Sequence, residues 1–261
     1  VMILISFVLL YLAIVKQFEP LLLMPIAFGM LLTNLPGAGM FHSEFFAGGH
    51  VHWEDFALGS AGLLDYLYLG VKLGIYPCLI FVGVGAMTDF GPLIANPKSL
   101  LLGAAAQIGI FATFIGAVAL GFNYWESGSI GVIGGADGPT AIFTTIKLAP
   151  HMLGPIAIAA YSYMALVPVI IPLVVKLLCS EKELRINMKE QDRLYPDGTE
   201  IKNMRVLKII FPIAVTTIVA IFVPSAVSLV GMLMFGNLVK EIGNDTSRLF
   251  DAASNGVMNA A

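Results

Sequence analysis

The feature that most constrains the fold is the recurrence of long apolar segments along the chain. They occupy residues 1–15, 20–35, 63–87, 100–122, 130–148, 155–178 and 206–235. Several reach the roughly 20 residues that a helix needs to cross the hydrocarbon of a bilayer. Others are shorter or contain glycine and proline. We therefore expect an all-α, polytopic transmembrane helix bundle with about six or seven passes, some of them broken or re-entrant.

Composition agrees with a membrane location and excludes one class of partner. Apolar residues make up 58% of the chain and charged residues 12%, whereas a soluble domain spends about a quarter of its residues on charge. The chain is expected to face membrane lipid. A formal net charge of −3 argues against a nucleic-acid partner, because no basic surface could neutralise a phosphate backbone.

The distribution of lysine and arginine predicts orientation. Eight of the fourteen lie in residues 176–208, and the positive-inside rule places that region in the cytoplasm. The loop at residues 36–62 has neither, so it faces outside if an odd number of passes separates the two. The predicted divisions are N-terminal transmembrane helices (1–35), an extramembrane loop (36–62), an ion-translocating core with broken segments (63–178), a cytoplasmic loop (179–205), and a transmembrane helix with the start of a truncated second half (206–261).

Asp137 is the leading candidate for an ion ligand, because ionisable groups within membrane segments are mostly functional. It follows Gly134 and Gly135 and precedes Gly138 and Pro139, so an uninterrupted helix is not expected there. A broken helix leaves carbonyl oxygens free, and these oxygens with a carboxylate would suit Na⁺. The alternative is a tight surface turn, because Asp-Gly-Pro is ordinary turn chemistry.

A second broken segment is predicted at residues 81–97, which contain Asp89 and Asn96. For Asp89, a helix cap or interfacial turn is favoured over an ion ligand. Thr140, which follows the first break, is a further candidate of the same lower rank. Two such breaks together indicate discontinuous helices of the kind that build midplane ion sites in transporters.

The remaining polar candidates in apolar surroundings are two tyrosines and one lysine. Tyr161 and Tyr163 need hydrogen-bond partners in hydrocarbon and could ligate an ion or transfer a proton; the alternative is an aromatic belt at the lipid interface. Lys72 lies well inside an apolar segment, and Asp65, two turns away, could simply pair with it. Three histidines share the first loop, but without a thiolate or helical frame they make a weak metal site.

Several long motifs carry a resemblance to a known family. GGADGPTAIF (residues 134–143), GAMTDFGPLIANP (85–97) and AIAAYSYMALVP (157–168) resemble the β subunit of the sodium-translocating, biotin-dependent decarboxylases. That family includes the oxaloacetate, methylmalonyl-CoA and glutaconyl-CoA decarboxylases. Residues 9–29 and 100–113 are similar to the same family, so the resemblance covers nearly the whole chain.

The resemblance implies a function. A carboxyltransferase α subunit transfers a carboxyl group to biotin on a carrier protein. The β subunit then removes CO₂ from this carboxybiotin, consumes a proton and drives Na⁺ outward. The resemblance makes Asp137 the essential cation ligand and Tyr163 a ligand and proton donor. The carbonyls of the break, including those of Gly134 and Gly138, would complete the shell.

The resemblance also implies an assembly and a setting. It points to a small membrane γ subunit, a homo-oligomer, the cell membrane of a prokaryote and an inverted-repeat transporter-like fold. Family members continue beyond the point where this chain stops, and their second half supplies further ligands, so we expect a segment of a longer protein. The residues alone do not separate this reading from a Na⁺-coupled carboxylate symporter without decarboxylase chemistry.

Overall fold

The computed structural model describes residues 1–18, 20–57, 59–194 and 203–260, and every regular element in these ranges is helical. The prediction of an all-α protein is confirmed. The α-helices are α1 (Met2–Ile14), α2 (Pro20–Thr33), α3 (Trp53–Ala57), α4 (Leu63–Lys72), α5 (Ile75–Met87), α6 (Gly91–Ala95), α7 (Leu100–Ala106), α8 (Ile108–Ala119), α9 (Tyr124–Ile133), α10 (Gly138–Leu148), α11 (Leu153–Leu178), α12 (Glu181–Leu184), α13 (Met188–Leu194), α14 (Met204–Phe222), α15 (Val227–Ile242), α16 (Ser247–Asp251) and α17 (Met258–Ala260). Short 3₁₀ segments lie at Ser43–Gly49, Pro97–Ser99, Pro150–Met152, Pro224–Ala226 and Asn244–Thr246, and a π-helical turn lies at Ala252–Val257.

Several of these helices are long and apolar enough to cross a membrane. Among the described residues, three continuous segments meet that condition: Pro97–Ala119, Met204–Phe222 and Pro224–Ile242. Helices α4 and α5 meet it together as a pair broken near Gly74, which has a φ of 73°. The predicted total number of passes stays a prediction. So do the limits of the predicted loop at 179–205, because residues 195–202 lie outside the described residues.

The chain forms two compact units. One comprises residues 1–73 and 109–185, and the other residues 74–108 and 186–261. In the first unit α1 packs against α2, and α9, α10 and α11 pack together. Their shared core is Ala141, Ile156 and Ala160. The two alanines lack bulk beyond Cβ, so the helix backbones can approach closely, as is common for helices in membranes.

The start of α9 is fixed by its sequence. The side chain of Asn123 accepts hydrogen bonds from the backbone N–H groups of Trp125 and Glu126, at 3.0 and 2.9 Å. Glu126 accepts one in return from the Asn123 N–H, at 3.1 Å. This capping box satisfies donors that the first helical turn otherwise leaves free. It sets where α9 begins, three turns before the broken segment that follows it.

In the second unit α5 packs closely against α15. A Cβ atom on Gly85 would lie 1.8 Å from the carbonyl oxygen of Leu233, and one on Gly236 would lie 2.0 Å from that of Val82. Only glycine therefore fits at these two positions. The contact brings the C-terminal end of α5 directly against the middle of α15, which matters for the second broken segment.

Candidate cation site

The first predicted break exists. Helix α9 ends at Ile133 and α10 begins at Gly138, so four residues separate the two helices. Within this segment, which we term the Asp137 break (residues 134–137), Ala136 has a φ of 59°. L-residues rarely adopt this left-handed conformation, and such strain clusters at functional sites. The local sequence thus interrupts the helix, as the glycines and proline predict.

The Asp137 break leaves carbonyl oxygens free. The N–H groups of Gly134, Gly135 and Ala136 donate to the last carbonyls of α9 at 2.9–3.0 Å. Within the described residues, no backbone N–H donates to the carbonyls of these same three residues. Gly134 and Gly135 are partly buried and Ala136 is exposed, so these oxygens are open to water or to an ion. Three consecutive free oxygens next to a carboxylate are a suitable donor set for a small hard cation.

Asp137 caps α10 and has no cationic partner. Its Oδ1 accepts from the Thr140 backbone N–H at 3.3 Å, and its Oδ2 accepts from the Thr140 hydroxyl at 2.6 Å. In the described part of the chain, no basic side chain forms an ion pair with it. Carboxylate oxygens accept more than one bond. Turn chemistry and ion binding are therefore compatible here, since the capped carboxylate keeps free lone pairs.

Tyr163 places a phenol in the same packed group. Its ring packs against the core formed by Ala141, Ile156 and Ala160. Its hydroxyl is shielded from solvent and has no hydrogen-bond partner among the described residues, which costs about 1–3 kcal/mol. A belt residue at the lipid interface would instead extend its hydroxyl to water.

Two residues of α8, Gly109 and Thr113, pack closely against the Asp137 break. The sequence reasoning did not single them out. A Cβ on Gly109 would lie 2.3 Å from the Gly134 carbonyl oxygen, and a Cβ on Gly134 would lie 2.4 Å from the Thr113 hydroxyl. That hydroxyl donates to the Gly109 carbonyl at 2.8 Å. The spacing of small residues, Gly109 and Thr113 four apart, is the signal that could have identified them.

Asp89 and Asn96 lie in the second unit, and each accepts a hydrogen bond from the backbone N–H group two residues further along the chain. Asp89 Oδ1 accepts from the Gly91 N–H at 2.9 Å and from Lys208 Nζ at 2.6 Å. The Lys208 hydrogen bond, with that from Gly91, holds the pKa of the Asp89 carboxyl below its usual value. Asn96 accepts from the Lys98 N–H as the cap of a 3₁₀ turn. The N-cap of α6 is Phe90, without a side-chain hydrogen bond, so Asp89 forms a turn before this helix, and its role as a turn residue rather than an ion ligand stays a prediction.

Lys72 forms no ion pair with Asp65. Asp65 is fully buried and accepts from His42 Nδ1 at 2.7 Å, from the His42 N–H at 2.7 Å and from the Gly62 N–H at 2.8 Å. The loop before α4 thus supplies all its partners. The rings of His50 and His52 are tilted by 38° to each other, with centroids 4.7 Å apart. Among the described residues, no three His, Cys, Asp or Glu side chains are grouped so as to hold a metal ion.

The helices define a class: an all-helical protein with apolar segments long enough to cross a membrane and with interrupted helices. A family model described as the Na⁺-transporting oxaloacetate decarboxylase beta subunit matches residues 1–261. The chain therefore belongs to that family of beta subunits. This confirms the resemblance carried by the three sequence motifs.

Three relatives show how the chain compares within the family. It is 57% identical over 267 residues to the methylmalonyl-CoA decarboxylase subunit beta of Propionigenium modestum, with 99% of this chain and 65% of the relative covered. The glutaconyl-CoA decarboxylase subunit beta of Acidaminococcus fermentans is 51% identical, with 100% and 62% covered. The oxaloacetate decarboxylase beta chain 2 of Salmonella typhi is 44% identical, with 99% and 68% covered. The chain thus spans less than two thirds of the length of the first two relatives.

Proposed function

We propose that this chain is the membrane subunit of a sodium pump that decarboxylates carboxybiotin and couples the loss of CO₂ to Na⁺ export. Membership of the family supports the proposal. The observation that carries it is the Asp137 break itself, where free carbonyls adjoin a carboxylate without a cationic partner. A transported cation would compensate this charge.

In the cation step, Na⁺ from the cytoplasm binds the Asp137 carboxylate and backbone oxygens. Gly138 is the first residue of α10, so its carbonyl enters the helical hydrogen-bond pattern. We therefore assign the backbone ligands to Gly134, Gly135 and Ala136. The phenol of Tyr163 completes the shell. Thr140 orients the carboxylate through its hydroxyl, and Tyr161 stays a further candidate ligand.

In the proton step, the bond between the carboxyl carbon and the ureido nitrogen of carboxybiotin breaks. The electron pair stays on nitrogen, CO₂ leaves, and the nitrogen takes a proton. The phenol of Tyr163 supplies this proton and regains one from water as Na⁺ leaves outward. Moving one positive charge against 100 mV costs about 2.3 kcal/mol. Because CO₂ departs, the chemical step is strongly directional and can drive the transport.

The partners follow from the same proposal. A carboxyltransferase α subunit and a biotin carrier protein load and deliver carboxybiotin, and a small γ subunit joins a homo-oligomeric complex in a prokaryotic cell membrane. Identity to the acyl-CoA relatives is 57% and 51%, against 44% for an oxaloacetate relative. The alignment with the latter extends over 304 residues, against 261 in this chain. These differences favour an acyl-CoA as the substrate of the α partner.

The test is radiolabelled Na⁺ uptake into inverted vesicles that hold the complete complex, with carboxylated biotin carrier added. Wild type, Asp137→Asn and the matched control Asp89→Asn are compared. We expect CO₂ release and uptake together in the wild type and the control, and loss of both in Asp137→Asn. Uptake that persists in Asp137→Asn would overturn the ion-site assignment. Na⁺ that moves with a free carboxylate and without biotin would establish the symporter instead.

A further inference from the structure

A cavity of about 290 Å³ lies in the first unit, away from the Asp137 break. It opens between the loop before α4 and the 3₁₀ turn before α11. Phe41, Phe46 and Tyr68 form its aromatic wall, with ring centroids 5.6 Å apart for Phe41 and Tyr68 and 4.6 Å apart for Phe46 and Tyr68. Lys72 and His151 also line it. The proposed function uses none of these residues.

Lys72 is the charged group of this cavity, and it lacks a partner. Only 8% of its surface is exposed. Within the described residues it forms no ion pair and no hydrogen bond. The nearest carboxylate in sequence, Asp65, is fully engaged by His42 and Gly62. Its Nζ is not among the fully enclosed atoms that lack a partner, so the largely buried side chain presents its ammonium to the cavity, where an anion can meet it.

Position in the helix does not replace such a partner. Lys72 is in the last turn of α4, where a cation interacts favourably with the helix dipole. That effect needs no burial, however, and an exposed lysine achieves it equally well. No carbonyl of the described chain accepts a hydrogen bond from the ammonium. The dipole therefore explains why lysine is tolerated at this position and leaves its enclosure in a cavity unexplained.

The rest of the lining selects for negative charge. No aspartate or glutamate lines the cavity. His151 Nε2 lies 2.9 Å from Glu126 Oε1, so that carboxylate is already engaged by the histidine. The hydroxyl of Ser43, on the exposed rim, is a neutral donor. An entering anion therefore meets one buried cation and one donor hydroxyl without opposing charge.

We propose that this cavity is an oxyanion-binding site in which the Lys72 ammonium holds a phosphate or carboxylate group. The group can belong to a lipid headgroup or to a free small anion. Aromatic side chains extend from the cavity wall through Phe56 to Tyr66 and Trp53. Clusters of this type are enriched at the level of lipid headgroups, and an anionic lipid can place its phosphate there with its chains along the apolar helix surface.

The proposal is tested on the purified complete complex in detergent by thermal unfolding midpoints during four separate titrations. The probes are phosphatidylglycerol, phosphatidylcholine, inorganic phosphate and acetate. The variants are Lys72→Met, Lys72→Arg and Ser43→Trp, the last of which fills the cavity from its rim without touching Lys72. The matched control is Lys147→Met, which removes an exposed lysine that lies 5.1 Å from the Phe143 ring centroid.

We expect a saturable rise of the midpoint in the wild type and in Lys147→Met. The half-saturating concentration should rise tenfold or more in Lys72→Met and Ser43→Trp and stay within threefold in Lys72→Arg. Saturation by phosphatidylglycerol alone identifies a lipid. Saturation by phosphate or acetate, with competition between them, identifies a free anion. The proposal is overturned if no probe gives a Lys72-dependent response, or if Lys147→Met weakens the response equally. The unfolding midpoint does not depend on Na⁺ transport. This test of the oxyanion site is therefore independent of the test of the proposed function.

Discussion

The Asp137 and Asp89 segments, where helices are interrupted, are similar in sequence. They differ in which groups pair with their carboxylates and backbone carbonyls. The Asp137 break follows α9, and the Asp89 break (residues 88–90) follows α5; each has an aspartate followed closely by glycine and proline. At the Asp89 break, Lys208 pairs with the carboxylate at 2.6 Å. At the Asp137 break, the carboxylate has only the cap donors of its own helix.

The backbone oxygens show the same difference. Asn237 donates to the carbonyls of Gly85 and Thr88 at 3.3 and 2.9 Å, and Lys240 donates to that of Thr88 at 2.8 Å. Within the described chain, the carbonyls of Gly134, Gly135 and Ala136 have no such donors. A helix break at membrane depth must be satisfied. The protein does this itself at one break, and we propose that the transported ion does it at the other.

The largest expected effect concerns the support of the Asp89 break. Gly85→Ala would place a Cβ 1.8 Å from the Leu233 carbonyl oxygen, which forces α5 and α15 apart. We expect the free energy of unfolding to fall by about 3 kcal/mol, the upper range for overpacking. Thermal unfolding of the complex in detergent measures it. Gly231→Ala on α15 is the control, because its nearest neighbour would be at 3.7 Å; equal losses would contradict the close contact.

The next effect concerns the support of the Asp137 break. Gly109→Ala should push α8 away from Gly134 and cost about 1–3 kcal/mol of stability. The free carbonyls should shift with it, so the Na⁺ concentration for half-maximal decarboxylation should rise. A Na⁺ titration of the decarboxylation rate measures this. Gly116→Ala on the same helix meets nothing within 4 Å and should leave the titration unchanged. An unchanged Na⁺ requirement in Gly109→Ala would show that α8 does not influence cation binding at the Asp137 break.

Tyr163→Phe removes one oxygen and preserves the packing. We expect decarboxylation to slow by tenfold or more, which corresponds to about 1.4 kcal/mol. Stability should stay equal or increase, since the buried hydroxyl has no hydrogen-bond partner among the described residues. Rate and unfolding measurements on the same preparation test both. A full decarboxylation rate would exclude the phenol from the reaction. A loss of stability would show that the hydroxyl makes a structural hydrogen bond.

The smallest effect concerns the ion pair of the Asp89 break. The side chains of Asp89 and Lys208 are 53% and 21% exposed, so solvent screens their attraction. A double-mutant cycle with Asp89→Asn and Lys208→Met should give a coupling of less than about 1 kcal/mol, measured by thermal unfolding. The Na⁺ requirement should not change in either variant. A strong change would mean that this break also holds an ion.

The sequence predicts the breaks better than it predicts their partners. Glycine, proline and the cap preference of aspartate act within a few residues, so the interruption between Ile133 and Gly138 could be inferred directly. Lys208 follows Asp89 by 119 residues, and Asn237 follows Gly85 by 152. Such pairings depend on tertiary packing.

The pairing of Asp65 with His42 instead of Lys72 could not be predicted for the same reason. Helical spacing correctly places Asp65 and Lys72 two turns apart in α4. The Asp65 carboxylate is nevertheless hydrogen-bonded to a loop residue, His42, through both its ring and its backbone N–H. Gly109 and Thr113 were missed because their role depends on α8 lying against the break, which local pattern does not reveal.

The central claim is that the Asp137 break is completed by Na⁺ and the Asp89 break is not. Equilibrium binding of ²²Na⁺ to the purified complete complex, with either Asp137→Asn or Asp89→Asn, tests it most directly. We predict that Asp137→Asn abolishes saturable binding, while Asp89→Asn binds as the wild type does. Saturable wild-type binding in Asp137→Asn, or its loss in Asp89→Asn alone, would contradict the account.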